Sequence, residues 1–160
     1  VRQLAIAIEQ AAAGVTPARD FKVIAPETPF ATRGTGSQRT IDPASYQRYD
    51  GLVSTITSIE PTKAAEVYRT IQPRLNEAYR GLGHPEGDVD RALANALDIL
   101  IDTPVVQGPM RIHAIDARGW IYVDPDLEGL TSSQKQILRM GPAHADAVIN
   151  WLKALRTALQ

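Results

Sequence analysis

Pro61-Thr62-Lys63-Ala64-Ala65-Glu66-Val67-Tyr68-Arg69-Thr70-Ile71-Gln72-Pro73-Arg74-Leu75-Asn76-Glu77-Ala78-Tyr79-Arg80-Gly81-Leu82-Gly83 is the stretch whose periodicity decides the architecture. Ala64, Tyr68, Ile71, Leu75, Ala78 and Leu82 recur every three or four positions, so together they form one apolar stripe along a long amphipathic helix. Pro61 suits the first helical position because its missing N–H would be unpaired there anyway, and Gly81 and Gly83 close the far end. Pro73 lies inside the helix and cannot donate to the carbonyl of Arg69, which predicts a kink or a break near Gln72. A stripe this long needs partner helices to cover it.

The flanking segments supply them. Upstream, Asp42-Pro43 gives a helix start in which the Asp oxygen accepts an orphan N–H, and Tyr46, Tyr49, Leu52, Val53, Ile56 and Ile59 follow on one stripe. Leu4, Ile8 and Ala11 or Ala12 mark a short helix over residues 2–13, stopped by Gly14 and Pro17. Between the two, residues 15–41 hold Pro17, Pro26, Pro29, Gly34 and Gly36, a density that predicts an irregular Pro/Gly-rich loop. Phe21, Val23, Ile24 and Phe30 are its expected anchors, with Phe21 to Ala25 as a short extended piece. Gly34-Thr35-Gly36-Ser37 lacks the following Lys and helix of a phosphate cradle and reads as loop.

Downstream, Val89, Leu93, Leu97, Leu100 and Ile101 define another helix that stops at Asp102-Thr103-Pro104. The period then changes from helical to alternating. Met110 to Ala114 and Trp120 to Val123 predict a β-hairpin around Asp116-Ala117-Arg118-Gly119, where Gly119 supplies a positive φ. Asp124-Pro125 repeats the helix start, and Thr131 with Gln134 has capping-box spacing. Gly141-Pro142 introduces a last helix lined by Val148, Trp151, Leu152, Leu155 and Leu159, with Lys153 and Arg156 near its C-terminal end. The expected fold is mainly α: a single compact helical domain over 1–160, with about six helices and one small hairpin.

Composition narrows the function classes. The 160 residues are 44% hydrophobic and 22% charged, which suits a packed globule. Seventeen Lys plus Arg against eighteen Asp plus Glu leave a net charge of -1, so no overall positive field collects nucleic acid. The absence of cysteine excludes disulfides, thiolate catalysis and Cys-based zinc sites. No apolar run reaches the roughly 20 residues that span a bilayer. The chain begins with Val1 instead of Met, so a membrane contact is expected only through a segment absent from it.

No catalytic constellation, metal site or cofactor motif stands out. Ser132 and Lys135 have the Ser-x-x-Lys spacing of a serine activated by a lysine, but the companion motifs are missing and Ser132 lies at a capping position. His84, His113 and His144 share no i, i+3 or i, i+4 offset for a metal. The most informative polar cluster is Lys135 and Arg139, four apart on one helical face before Gly141-Pro142, together with Arg74 and Glu77 on the long helix. Those cations suit an anion or an acidic partner, or, for Arg139, the cap of its own helix end. Tyr46, Tyr49, Tyr68 and Tyr79 fall on apolar stripes as core or rim residues, and the functional alternative is an aromatic-lined groove.

Several segments taken in order resemble a bacterial family catalogued as domain of unknown function three-zero-one-four. They are Ile41 to Asp50, Glu77-Ala78-Tyr79 leading into Leu82-Gly83, Asp102-Thr103-Pro104, Gly108-Pro109, Asp124 to Glu128, and Gln134 to Pro142. The hairpin turn departs from the Pro-containing pattern of that family. The resemblance implies no established activity. It does imply a membrane-spanning helix and Pro-rich linker upstream, with this domain on the periplasmic side of the inner membrane. The expected function is therefore a non-catalytic binding or scaffolding domain for an envelope protein or small ligand, with no cofactor. The alternative is a hydrolase with a carboxylate or Ser132-Lys135 site in a cleft near the hairpin; oligomeric state is not readable from the chain.

Overall fold

Gly14 shows how local chemistry ends the first helix, α1 (Arg2–Ala12). Its φ of 71° lets its own N–H reach the carbonyl of Ala11 at 3.0 Å while the N–H of Val15 reaches Gln10 at 2.8 Å. These are the paired bonds of a Schellman stop, which favour glycine because an L side chain is strained at that φ. The computed structural model describes residues 1–21, 25, 26, 28–116 and 119–160. Val23 and Ile24, two of the expected loop anchors, and the turn residues Ala117 and Arg118 at the tip of the hairpin lie outside the described residues.

Among the described residues there are seven α-helices: α1, α2 (Asp50–Ser58), α3 (Pro61–Arg80), α4 (Val89–Ile101), α5 (Pro125–Glu128), α6 (Ser132–Leu138) and α7 (Pro142–Leu159). The mainly helical class expected from the sequence holds. The long stripe of α3 packs against α1, α4 and α7. Ala5, Leu75 and Val89 are completely buried there, beside Ile8 and Ala92. Alanines at 5 and 92 let α1 and α4 approach closely, because a small side chain fills a tight helix crossing without displacing the backbone.

Pro73 neither breaks nor interrupts α3, which runs unbroken from Pro61 to Arg80. The proline lies off the apolar stripe on the exposed face. The carbonyl it leaves unpaired belongs to Arg69, which is also exposed, so water can satisfy it, while Leu75 and Tyr68 hold the helix to its neighbours. Two other positions differ from expectation. Leu4 is 41% exposed and Ala5 takes the buried position, a shift of one residue around the helix. Ile59 is 46% exposed, because α2 has ended at Ser58 and the chain is already turning into α3.

The Asp42-Pro43 start is helical but not α-helical at first. Residues Pro43–Tyr49 form a 3-10 helix, capped by Asp42 accepting from Ala44 N–H at 2.9 Å, before α2 begins. Tighter winding at three residues per turn puts Tyr46 and Tyr49 on the same face. Ser45, 1% exposed, fixes this turn to the preceding loop: its Oγ accepts from Ala31 N–H at 2.7 Å and donates to Ala31 O at 2.9 Å.

The loop region contains a second small sheet besides the expected hairpin. Strands β1 (Thr32–Arg33) and β2 (Thr40–Ile41) pair antiparallel, and β3 (Ile112–Ala114) pairs antiparallel with β4 (Trp120–Tyr122). The two are stitched together where Ile41 N–H reaches Met110 O at 3.1 Å and Ile112 N–H reaches Arg39 O at 2.9 Å. Ile41, Met110, Ile112, Tyr122, Leu127 and Leu138 close a core beneath them, with Phe30 and Trp120 packed at its margin.

The α6–α7 corner closes onto the 3-10 turn through Gly141. Its φ is 85°, and a Cβ built there would stand 2.4 Å from Cγ of Tyr46. Strain at positive φ and a clash with a packed ring act together, so Gly141→Ala is expected to destabilise the fold by about 2–4 kcal/mol. Urea denaturation followed by circular dichroism measures this. A change below about 0.5 kcal/mol, the usual spread of surface substitutions, would contradict the close packing described.

Candidate functional site

Four elements, some distant in sequence, meet at one cleft. The loop contributes Phe30, the 3-10 turn contributes Arg48 and Tyr49, the hairpin contributes Gly119 and Trp120, and α6 with its end contributes Gln136 and Arg139. The cavity between them measures about 390 Å³. Its walls are aromatic and its charges are positive. Arg48 lies with Cζ 5.6 Å from the Phe30 ring centre and 5.8 Å from that of Tyr49, and Arg39 lies 5.1 Å over Trp120. Guanidinium planes on ring faces gain from the ring quadrupole and stay rigid.

The cations of the cleft are short of acceptors. The Nε of Arg48 is buried without a hydrogen-bond partner, and neither Arg48 nor Arg139 is ion-paired among the described residues. No carboxylate lines the cavity among the described residues. Gln136 is occupied, since its Nε2 donates to Tyr49 Oη at 3.1 Å, which fixes the cleft floor. Two other cavities differ on this point. One of about 570 Å³ contains Asp90, hydrogen-bonded by Tyr68 and Gln72, and Arg156, paired with Asp98 at 2.7 Å. Another of about 680 Å³ contains His84, 2.6 Å from Glu9 and stacked on Tyr79. In each of them charged groups are already paired, His84 with Glu9 and Arg156 with Asp98, so the arginine cleft is the stronger candidate.

Next to the cleft stands a carboxylate with two kinds of donor. Glu128 Oε1 meets Lys135 Nζ at 2.5 Å, and Oε2 accepts the N–H of Tyr122 at 2.8 Å. Burial works to raise the Glu128 carboxyl. The Lys135 hydrogen bond, the Tyr122 amide and the charges of Lys135 and Arg139 outweigh it and hold the group below the usual carboxylate range. Burial pushes the Tyr122 phenol up to about 12 against the opposing pull of Arg139, and burial followed by the charge of Asp42 raises Tyr46.

The sequence-derived candidates separate accordingly. Tyr49 and Arg139 line the cleft, with Tyr46 packed against Gly141 nearby. Lys135 is adjacent but committed to Glu128. Arg74 and Glu77 do not join it: both face solvent on α3, whose packing partners are α1, α4 and α7. Arg139 is the C-cap residue of α6, its backbone N–H bonding the last carbonyls of that helix, and its side chain makes no hydrogen bond to the helix end among the described residues.

The Ser132-Lys135 spacing is not a dyad either. Ser132 Oγ accepts from Thr16 N–H at 3.0 Å and donates to Gly14 O at 3.3 Å, which ties α6 to the end of α1, while Lys135 bonds Glu128. Thr131 is the N-cap, with the full capping box to Gln134. The three histidines are apart: His84 pairs with Glu9, His144 lies 3.0 Å from Asp50, and His113 is exposed. No group of three or more potential metal ligands occurs among the described residues.

Sequence reasoning missed Arg48, Trp120 and Gln136 as site residues. Arg48 shares the 3-10 turn with Tyr46 and Tyr49, which was its one signal; nothing in spacing brings it to Phe30 or to Arg139.

The fold and cleft define a mainly helical module whose most distinctive surface is a cationic, aromatic-walled recess. The chain belongs to the family described as protein of unknown function (DUF3014), whose profile matches residues 1–156. No curated protein and no solved structure matches it.

Because the folded-state value of Glu128 is depressed, its ionised form adds stability at neutral pH that is lost as pH falls below the usual carboxylate range. Glu128→Gln should therefore destabilise the protein by about 1 kcal/mol at pH 7, a figure kept small by solvent screening. The gap to the parent should narrow in urea titrations as pH is lowered below the usual carboxylate range. A gap of equal size at neutral and low pH would show that the charge is not what Glu128 contributes.

Proposed function

We propose that this chain is a non-catalytic binding module of a membrane-anchored cell-envelope protein, and that it takes acidic groups of a partner or small ligand into the cleft between Arg48 and Arg139. The observation that carries the reading is the buried, unpartnered Nε of Arg48 beside a second cation, with no lining carboxylate among the described residues. A buried guanidinium nitrogen without an acceptor is a costly feature, and carboxylates match the fork geometry of the group's other donors. The aromatic walls lower the local dielectric and strengthen that contact. The hydrolytic alternative is weakened because Ser132 and Lys135 are each bonded elsewhere.

The envelope part rests on the arrangement that the family resemblance implies, a spanning helix and linker upstream. No helix among the described residues is long and apolar enough to cross a membrane, so the anchor of this proposal belongs to a segment other than these residues. Fusing alkaline phosphatase, which folds only outside the cytoplasm, to the end of the full-length protein tests the side on which the domain resides. An active fusion is expected; an inactive one beside an active cytoplasmic reporter would remove the periplasmic placement.

Calorimetric titration with a capped hexaglutamate peptide, and with hexalysine as the opposite charge, tests the cleft. Hexaglutamate should bind, more weakly as salt rises, and Arg48→Ala and Arg139→Ala should each weaken it by about tenfold or more. Binding that is indifferent to both substitutions, or none at low salt, would sink the reading.

A further inference from the structure

We infer that the acidic ligand is an extended peptide segment whose backbone adds to the free edge of β4 at Trp120. The inference rests on the cleft's affinity for carboxylates proposed above, and it names the kind of molecule that carries them.

The hairpin's register decides which backbone groups are free. Ile112 stands opposite Tyr122, His113 opposite Ile121 and Ala114 opposite Trp120. The bonds from Val123 N–H to Arg111 O at 3.1 Å and from Ile115 N–H to Gly119 O at 2.9 Å mark the pairs that bond inward. In an antiparallel ladder these alternate with pairs whose N–H and C=O face away, so Tyr122 and Trp120 turn their amides and carbonyls outward from β3. The amide of Tyr122 confirms that parity, because it is held by the Glu128 carboxylate.

Among the described residues the two edges of this sheet are engaged at different positions. The outer edge of β3 is engaged by the loop, through Ile112 N–H on Arg39 O and the bridge between Thr40 and Arg111. On the β4 side α5 covers the position of Tyr122, while Trp120 has no backbone partner among the described residues and lines the cleft with Arg48 and Arg139. An unpaired strand edge is a template for an incoming strand.

The chain already shows this chemistry on itself one step along the edge. Glu128 presents a carboxylate to an outward β4 amide, with Lys135 bonded to it and the charge of Arg139 acting on it. A peptide pairing with Trp120 would repeat that arrangement: its main chain meets the Trp120 N–H and C=O, and an acidic side chain reaches Arg48 and Arg139. Every second side chain of a strand points the same way, so acidic residues at alternate positions suit the recess and apolar ones between them suit a strand. A free dicarboxylate could satisfy the arginines but not the edge.

The test titrates the whole chain with a capped Glu-Leu-Glu-Leu-Glu peptide and with the same peptide methylated on its internal backbone nitrogens, each against the parent and the Arg48→Ala/Arg139→Ala variant. Methylation keeps every carboxylate and blocks strand addition. The expected result is binding to the parent that falls about tenfold or more on methylation, the worth of one or two backbone bonds, and that is lost in the variant. Equal binding of both peptides to the parent, lost in the variant, would overturn the strand pairing and leave the cleft reading intact. Binding of neither peptide in an arginine-dependent way would overturn both.

Discussion

The approach of Gly141 to the ring of Tyr46 is the constraint on which the rest of this structure depends. A helix must end, turn and restart within a space too small for any side chain, and the backbone does so at a φ of 85°. That corner seats the 3-10 turn of residues 43–49 against the junction of α6 and α7. Tyr49, Val53, Met140 and Val148 then bury together, and Gln136 reaches the Tyr49 hydroxyl. The same seating brings Arg48 and Arg139 to the lining of one cleft. Fold and candidate site thus share one contact.

Two layers of packing meet along this corner. On one side α1, α3 and α4 pack through fully buried small and branched residues, and α7 lies across them, with the Trp151 indole donating to Ile59 O at 2.7 Å and Arg69 reaching Ala158 O at 2.6 Å near its end. On the other side the hairpin and the loop cover an apolar cluster from Ile41 to Leu138. The cationic recess opens where the second layer meets the 3-10 turn and α6. Arg48 there lies against the rings of Phe30 and Tyr49, which is why a charge and apolar walls coexist in it.

The helical framework could be read from the chain because stripes such as Ala64 to Leu82 and caps such as Thr131 with Gln134 act over one or two turns. Pro73 shows the limit of a local rule. The helix continues past it, on the exposed face where water can reach the carbonyl of Arg69, so no break follows. Leu4 and Ile59 reflect the same issue at helix ends, where one residue changes which side is covered. The Ser45 clamp on Ala31 and the pairing of β1 with β2 are set by tertiary closure of the loop and leave no periodic trace. Of the residues that line the cleft, Arg139 and Tyr49 announce themselves on helical faces, but Arg48 matters only through neighbours brought from elsewhere. Arg74 and Glu77 were grouped with them by chemistry alone, and α3 carries them away from the site.

Nuclear magnetic resonance of the arginine side chains gives the most direct view of whether the recess is a carboxylate site. In a sample labelled at arginine nitrogen, adding glutarate should move the Nε–H signals of Arg48 and Arg139 and slow their exchange with water, while Arg91 and Arg156 in the other cavities stay unchanged. Shifts confined to Arg91 or Arg156, with Arg48 unmoved at saturation, would contradict the account.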